Sequence, residues 1–135
     1  MRKLSLTNPS RGGLQVQIPP KKRASGEKLT QAAMAYIDAH SAEKFSLQAV
    51  ASALFVNGSY LLRTFKSHTG STLLAYHNAV RCEKAKVLLL DPAKSISQAG
   101  EEVGFVSSSH FSHIFKKVTG LTPTEYRREH GNVEI

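Results

Sequence analysis

A chain of 135 residues with 41% hydrophobic side chains is long enough for one domain with a modest core. Its formal charge of +8 is uneven: residues 1–26 hold six basic side chains and no acid, whereas residues 27–135 hold 12 basic and 10 acidic ones, a net of only +2. The lone Cys82 excludes an intramolecular disulfide, no apolar run approaches the roughly 18 residues of a membrane span, and the N-terminus lacks a signal peptide's apolar stretch. The expected setting is the cytoplasm, with an anionic partner whose nature charge alone does not specify.

Residues 1–26 are rich in Pro, Gly, Ser and basic side chains, which predicts a flexible basic arm. Within it Leu14-Gln15-Val16-Gln17-Ile18 alternates as a strand would, but a lone strand cannot bury a face. Lys21-Lys22-Arg23 can meet phosphates or simply remain solvated. From residue 27 to 135 the spacing predicts an all-α domain. Glu27 to about His40 reads as a helix, with Leu29, Ala32, Ala33, Tyr36 and Ile37 along one side.

Residues 46–69 predict a first helix-turn-helix unit. Its first helix runs from Phe45 to Leu54 with Ser46 as the cap, and its second from about Gly58 to His68 with Leu61, Thr64 and Phe65 inward. Phe55 stands in the turn between them, which predicts an unusual turn or a stop shifted towards Asn57-Gly58. Residues 72–90 read as a long helix with Leu73, Tyr76, Val80 and Leu88 as its core stripe, spanning about 28 Å before Asp91-Pro92. A second unit covers residues 95–118. Ser95 and Gln98 form a capping box, Ile96, Ala99, Gly100 and Val103 line one face, and Gly104 supplies the turn. Phe111, Ile114, Phe115 and Val118 form the apolar face of its second helix, which Gly120 ends. Pro123 opens a last helix over about 122–130.

The two units are copies. Phe65-Lys66-x-x-Thr69-Gly70-x-Thr72 repeats as Phe115-Lys116-x-x-Thr119-Gly120-x-Thr122, fifty residues on. Upstream, Leu47 pairs with Ile96, Ala51 with Gly100, Leu54 with Val103 and Leu61 with Phe111. The offset slips from 49 to 50 in the inter-helix turn, so the second copy has one extra residue there. A repeat of this length marks a duplicated supersecondary unit. Gly100 lies mid-helix where its counterpart is Ala51. Because glycine costs about 1 kcal/mol there relative to alanine, Gly100→Ala is expected to raise the melting temperature.

The two copies, the Val103-Gly104-Phe105 turn, the run from Ser109 to Lys117 and the closing Gly120-x-Thr122-Pro123-x-x-Tyr126-Arg127 resemble the AraC/XylS family of bacterial transcription regulators. The resemblance covers about residues 27–130. It implies about seven helices, with two helix-turn-helix subdomains joined by a long linker helix. It also implies sequence-specific binding of double-stranded DNA through two recognition helices, an activator's role, and RNA polymerase as a further partner. A small-molecule effector requires a separate sensor domain outside this chain.

Candidate DNA contacts are the outward positions of the two second helices. In the first these are Ser59, Tyr60, Leu62, Arg63, Lys66 and Ser67. Arg63 is the leading candidate for base readout, because a guanidinium fork matches guanine O6 and N7. In the second they are Ser107, Ser108, Ser109, His110, Ser112, His113, Lys116 and Lys117. His113 occupies the place of Arg63 but offers no fork. Each serine alone is equally well read as a cap or a solvated group, and Lys117 as a solvated cation. His110 and His113 lack further ligands at metal spacing, so no metal and no cofactor is expected. No carboxylate pair, phosphate loop or nucleophile elbow points to an enzyme. Two rival readings are a thiol-dependent DNA-repair enzyme fragment using Cys82, and an interaction module whose basic tail holds RNA or polymerase.

Overall fold

The computed structural model describes the backbone of residues 18–131 and the side chains of residues 26–131. Seven helices follow in order: α1 (Ile18–Ala39), α2 (Leu47–Ala53), α3 (Gly58–Thr69), α4 (Leu73–Leu89), α5 (Ile96–Glu102), α6 (Ser108–Thr119) and α7 (Pro123–His130). No strand occurs among the described residues. The helix starts are set by side chains that accept a backbone N–H: Ser46 from Ala49, Asn57 from Tyr60, Thr72 from Ala75, Ser95 from Gln98, Ser107 from His110 and Thr122 from Glu125. The predicted Ser95–Gln98 capping box forms, and Thr122–Glu125 makes a second one.

The first helix begins before the expected Glu27. Pro19 and Pro20 fall in its first turn, where a missing N–H leaves no helical bond unmade. Proline there is as compatible with a helix start as with an arm, so residues 18–26 are helical backbone. Residues 1–17, which include the alternating Leu14–Gln17, lie outside the described residues, as do residues 132–135.

Two cores share one helix. Ala33, Ile37, Val50, Ala51, Leu61, Phe65 and Leu73 form the first, with Tyr76 and Val80 packed on it. Cys82, Ala85, Leu89, Ala99, Val103, Phe105, Phe111 and Phe115 form the second, with Leu88 against it. At about 100° per residue, Leu73, Tyr76 and Val80 occupy one side of α4 and Cys82, Ala85 and Leu89 roughly the opposite side. The expected single stripe is therefore two faces, and Leu88 belongs with the second. The 17 residues of α4 extend about 26 Å and are embedded in both units. Val118, expected inward on α6, is 42% exposed, while Phe111 and Phe115 are fully buried.

The two inter-helix turns are alike, contrary to the expected distortion at Phe55. Both end in paired bonds that close a helix C-terminus: Phe55 N–H to Ser52 and Val56 N–H to Ala51, then Gly104 N–H to Glu101 and Phe105 N–H to Gly100. This motif needs a left-handed residue, and Phe55 adopts it at φ 59° where Gly104 has 111°. Phe55 is 93% exposed, so nothing crowds its side chain. The position of Gly104 is different: a Cβ there would lie 2.5 Å from the Ala42 carbonyl oxygen. The extra residue of the second copy is Val106, which is 95% exposed and stands between Phe105 and the cap Ser107.

Candidate nucleic-acid interface

The repeated motif is explained almost entirely by the fold. Phe65 and Phe115 are fully buried. The Thr69 hydroxyl donates to the Phe65 carbonyl at 2.8 Å and accepts from Ser71 N–H, and Thr119 does the same with Phe115 and Leu121. Gly70 and Gly120 close α3 and α6 in left-handed conformations at φ 79° and 90°. Thr72 and Thr122 cap the helices that follow. Lys66 and Lys116 are left over: both are exposed, and both stand on the second helix of their unit. Their repetition at a place where packing does not require it marks a surface.

That surface holds most of the expected contacts. On α3, Ser59, Tyr60, Leu62, Arg63, Lys66 and Ser67 are all exposed, and Leu61, Thr64 and Phe65 are buried behind them. On α6, Ser108, Ser109, His110, His113, Lys116 and Lys117 are exposed, and Ser112 is half-buried. Three of the serine and histidine candidates have structural duties as well. The Ser107 hydroxyl caps α6, the Ser108 hydroxyl accepts from Ser97 at 3.2 Å, and the His110 ring stands edge-on to Phe105 at 5.5 Å. Arg63 and His113 project from the middle of their helices as expected.

Charge is concentrated here. Neither α3 nor α6 contains an acid, and Arg63, Lys66, Lys116 and Lys117 give them +4 together. Since residues 27–135 total only +2, the remainder of that stretch is negative. A modest net charge thus conceals two positive, acid-free helix faces, the footprint a polyanion requires.

The single thiol is turned inward. Cys82 is fully buried, and burial pushes its thiol up to about 11, which suppresses the thiolate that a nucleophile needs. No group of three or more His, Cys, Asp or Glu at metal-binding distance occurs among the described residues. None of the described helices is long and apolar enough to cross a membrane. Arg81 and His77, both on α4 and both buried, were not legible as special in the sequence. Basic residues on a long helix ordinarily read as a solvated face; here the segment after α1 covers them, with Ser41 and Glu43 on Arg81 and Phe45 on His77, and Phe105 of the second unit stands over Arg81.

Residues 50–129 match the helix-turn-helix domain family. A transcriptional regulatory protein of Bacillus subtilis, YesN, is 44% identical over 80 residues, which cover 58% of this chain and 22% of that protein. This chain therefore spans about a fifth of that relative's length. The C-terminal domain of AraT, a response regulator from Geobacillus stearothermophilus, superposes with a TM-score of 0.72 at 34% identity, over 78% of this chain and 88% of that one. The DNA-binding domain of the transcriptional factor AdpA, solved in complex with a target DNA, superposes at 0.68 with 25% identity, over 75% and 91% of the two chains. The duplicated helix-turn-helix units, the shared linker helix and these likenesses agree: the chain belongs to the AraC/XylS family of DNA-binding transcription regulators.

Proposed function

We propose that α3 and α6 enter successive major grooves of one duplex, as a single chain, with Arg63 reading a base and the second unit mainly anchoring. The observation that carries this reading is the pair Lys66 and Lys116, exposed at matching places on two acid-free helices. A helix of about 26 Å embedded in both units suits the task, because the grooves on one side of B-DNA recur about every 34 Å. Serine hydroxyls and lysines position the backbone, and the guanidinium of Arg63 supplies the fork that guanine rewards. By family likeness the regulator acts in the cytoplasm as an activator that engages RNA polymerase. Any effector response belongs to a sensor domain outside this chain, and the six basic side chains of residues 1–26 add affinity without discrimination.

Competition binding tests the class of partner. Unlabelled duplex should displace a labelled duplex, whereas single strands and RNA should not. Affinity should fall with salt at a slope of at least about −4, as four neutralised phosphates require. Equal competition by RNA would favour the interaction-module reading instead. The division of labour is tested by base-preference profiles. Arg63→Ala should cost about 1–3 kcal/mol at one base pair and relax the preference there. His113 has one donor when neutral and two when protonated, but no fork, so His113→Ala should weaken all duplexes evenly. If His113→Ala instead erases a preference that Arg63→Ala leaves intact, the roles are reversed.

A further inference from the structure

We propose that Arg81 is a positioning residue that fixes the angle between the two helix-turn-helix units, and so sets the spacing of the DNA segments the chain accepts. The inference rests on the reading that α3 and α6 occupy two grooves. Arg81 lies on α4 between the face that carries the first core and the face that carries the second. Its side chain is 7% exposed and touches both units. Nε donates to the Ser41 carbonyl at 2.6 Å and Nη2 to the Glu43 carbonyl at 2.8 Å, both in the loop between α1 and α2. Its guanidinium carbon stands 5.1 Å from the ring centroid of Phe105, in the turn of the second unit.

The two units also meet directly at this point. A Cβ on Gly104 would approach the Ala42 carbonyl oxygen to 2.5 Å and Arg81 Nη2 to 2.8 Å, so the second turn is pressed against the first unit's loop. Lys84 extends the seam, donating to the Asp38 carbonyl and the Ser41 hydroxyl, each at 2.7 Å. The corresponding turn of the first unit faces open solvent at Phe55. Arg127 provides the contrast. It also binds carbonyls, those of Leu89, Asp91 and Lys94, but these flank the second unit alone.

A buried cation is costly unless its donors are met, and an apolar side chain would fill the same space at lower cost. What guanidinium adds is direction, since a planar fork satisfies two fixed acceptors and an aromatic face at once. The acceptors follow the C-terminus of α1, where the helix dipole favours positive charge. Arg81 therefore holds loop, linker and turn in one relative orientation. One base pair inserted between the two contacted segments moves the second by about 3.4 Å and rotates it by about 35°. A locked frame cannot follow that displacement, whereas a loosened one can.

The test uses a duplex selected by the full wild-type chain from a random pool, together with the same duplex carrying one inserted base pair between its two preferred segments. For the wild type the insertion should weaken binding by about 100-fold, the loss expected when one of two linked modules disengages. For Arg81→Met the penalty should shrink below about tenfold, while the selected duplex itself binds only a few-fold more weakly. Phe105→Leu removes the ring and leaves the guanidinium on its carbonyls, so it decides the question if Arg81→Met does not fold. A common weakening on both duplexes, with the insertion penalty intact, overturns the proposal and leaves Arg81 as a stabilising residue. Tolerance of the insertion by the wild type itself would instead contradict the two-groove reading, and the proposal with it.

Discussion

Gly100→Ala should lower the melting temperature by about 5–10 °C, the reverse of what helix propensity predicts. A Cβ at this position would lie 2.5 Å from Phe111 Cδ2, 2.7 Å from Cγ and 3.1 Å from Cβ. These are the near atoms of a fully buried ring, whose neighbours Phe105 and Phe115 stand 5.2 and 5.6 Å away by centroid. Forcing a methyl group into such a core costs about 1–3 kcal/mol, and the closeness of two contacts argues for the upper end. That exceeds the roughly 1 kcal/mol gained by removing glycine from a helix. The first unit has the complementary residues in its core, Ala51 and Leu61, at the repeat positions of Gly100 and Phe111. Gly100→Ala combined with Phe111→Leu should therefore recover part of the loss, a coupling that a double-mutant cycle by thermal denaturation reads directly. A rise in melting temperature for Gly100→Ala alone would show that the ring gives way easily.

The domain should also lose about 3 kcal/mol of stability on acidification through one imidazole. His77 is 3% exposed, and its Nε2 has no hydrogen-bond partner. Its pKa lies at about 4 rather than 6.5: burial lowers it most, the charge of Arg81 one turn away adds to that, and a bond with the Glu43 backbone opposes both. Phe45 packs edge-on against the ring at 5.3 Å, and Tyr36, His40, Glu43 and Lys44 complete the cleft around it. The folded state holds this group neutral while the unfolded chain takes up a proton below about pH 6.5. Stability is thus complete above that value and falls as pH drops towards 4. Denaturation midpoints measured at several pH values should show a steeper decline for the wild type than for His77→Gln, which cannot titrate. Parallel profiles for the two proteins would remove His77 from the explanation.

What the sequence revealed and what it hid follow from the range of the interactions involved. Caps and stops are local, so Ser46, Ser95, Gly104 and Gly120 could be assigned from their neighbours alone. The outward faces of α3 and α6 were legible for the same reason, since Leu61, Phe65, Phe111 and Phe115 announce the buried side. Quantities that depend on the partner across the interface were not legible. Nothing near Gly100 in sequence says that Phe111 fills the space of a methyl group. Nothing near Phe55 says that its side chain meets no neighbour, which is what lets it adopt a left-handed conformation. Leu88 was assigned to the wrong face because one helix serves two cores, a pattern that blurs periodicity. The early start of α1 was hidden because proline and basic residues suit a helix N-terminus and a loose arm alike.

Whether one chain reads two successive grooves is decided by selecting duplexes from a random pool with the protein held monomeric. The expected result is two short preferred segments centred about 10 base pairs apart, with the sharper preference at the segment that loses it in Arg63→Ala. Enrichment of a single short segment, or enrichment only when the protein is dimeric, would contradict it.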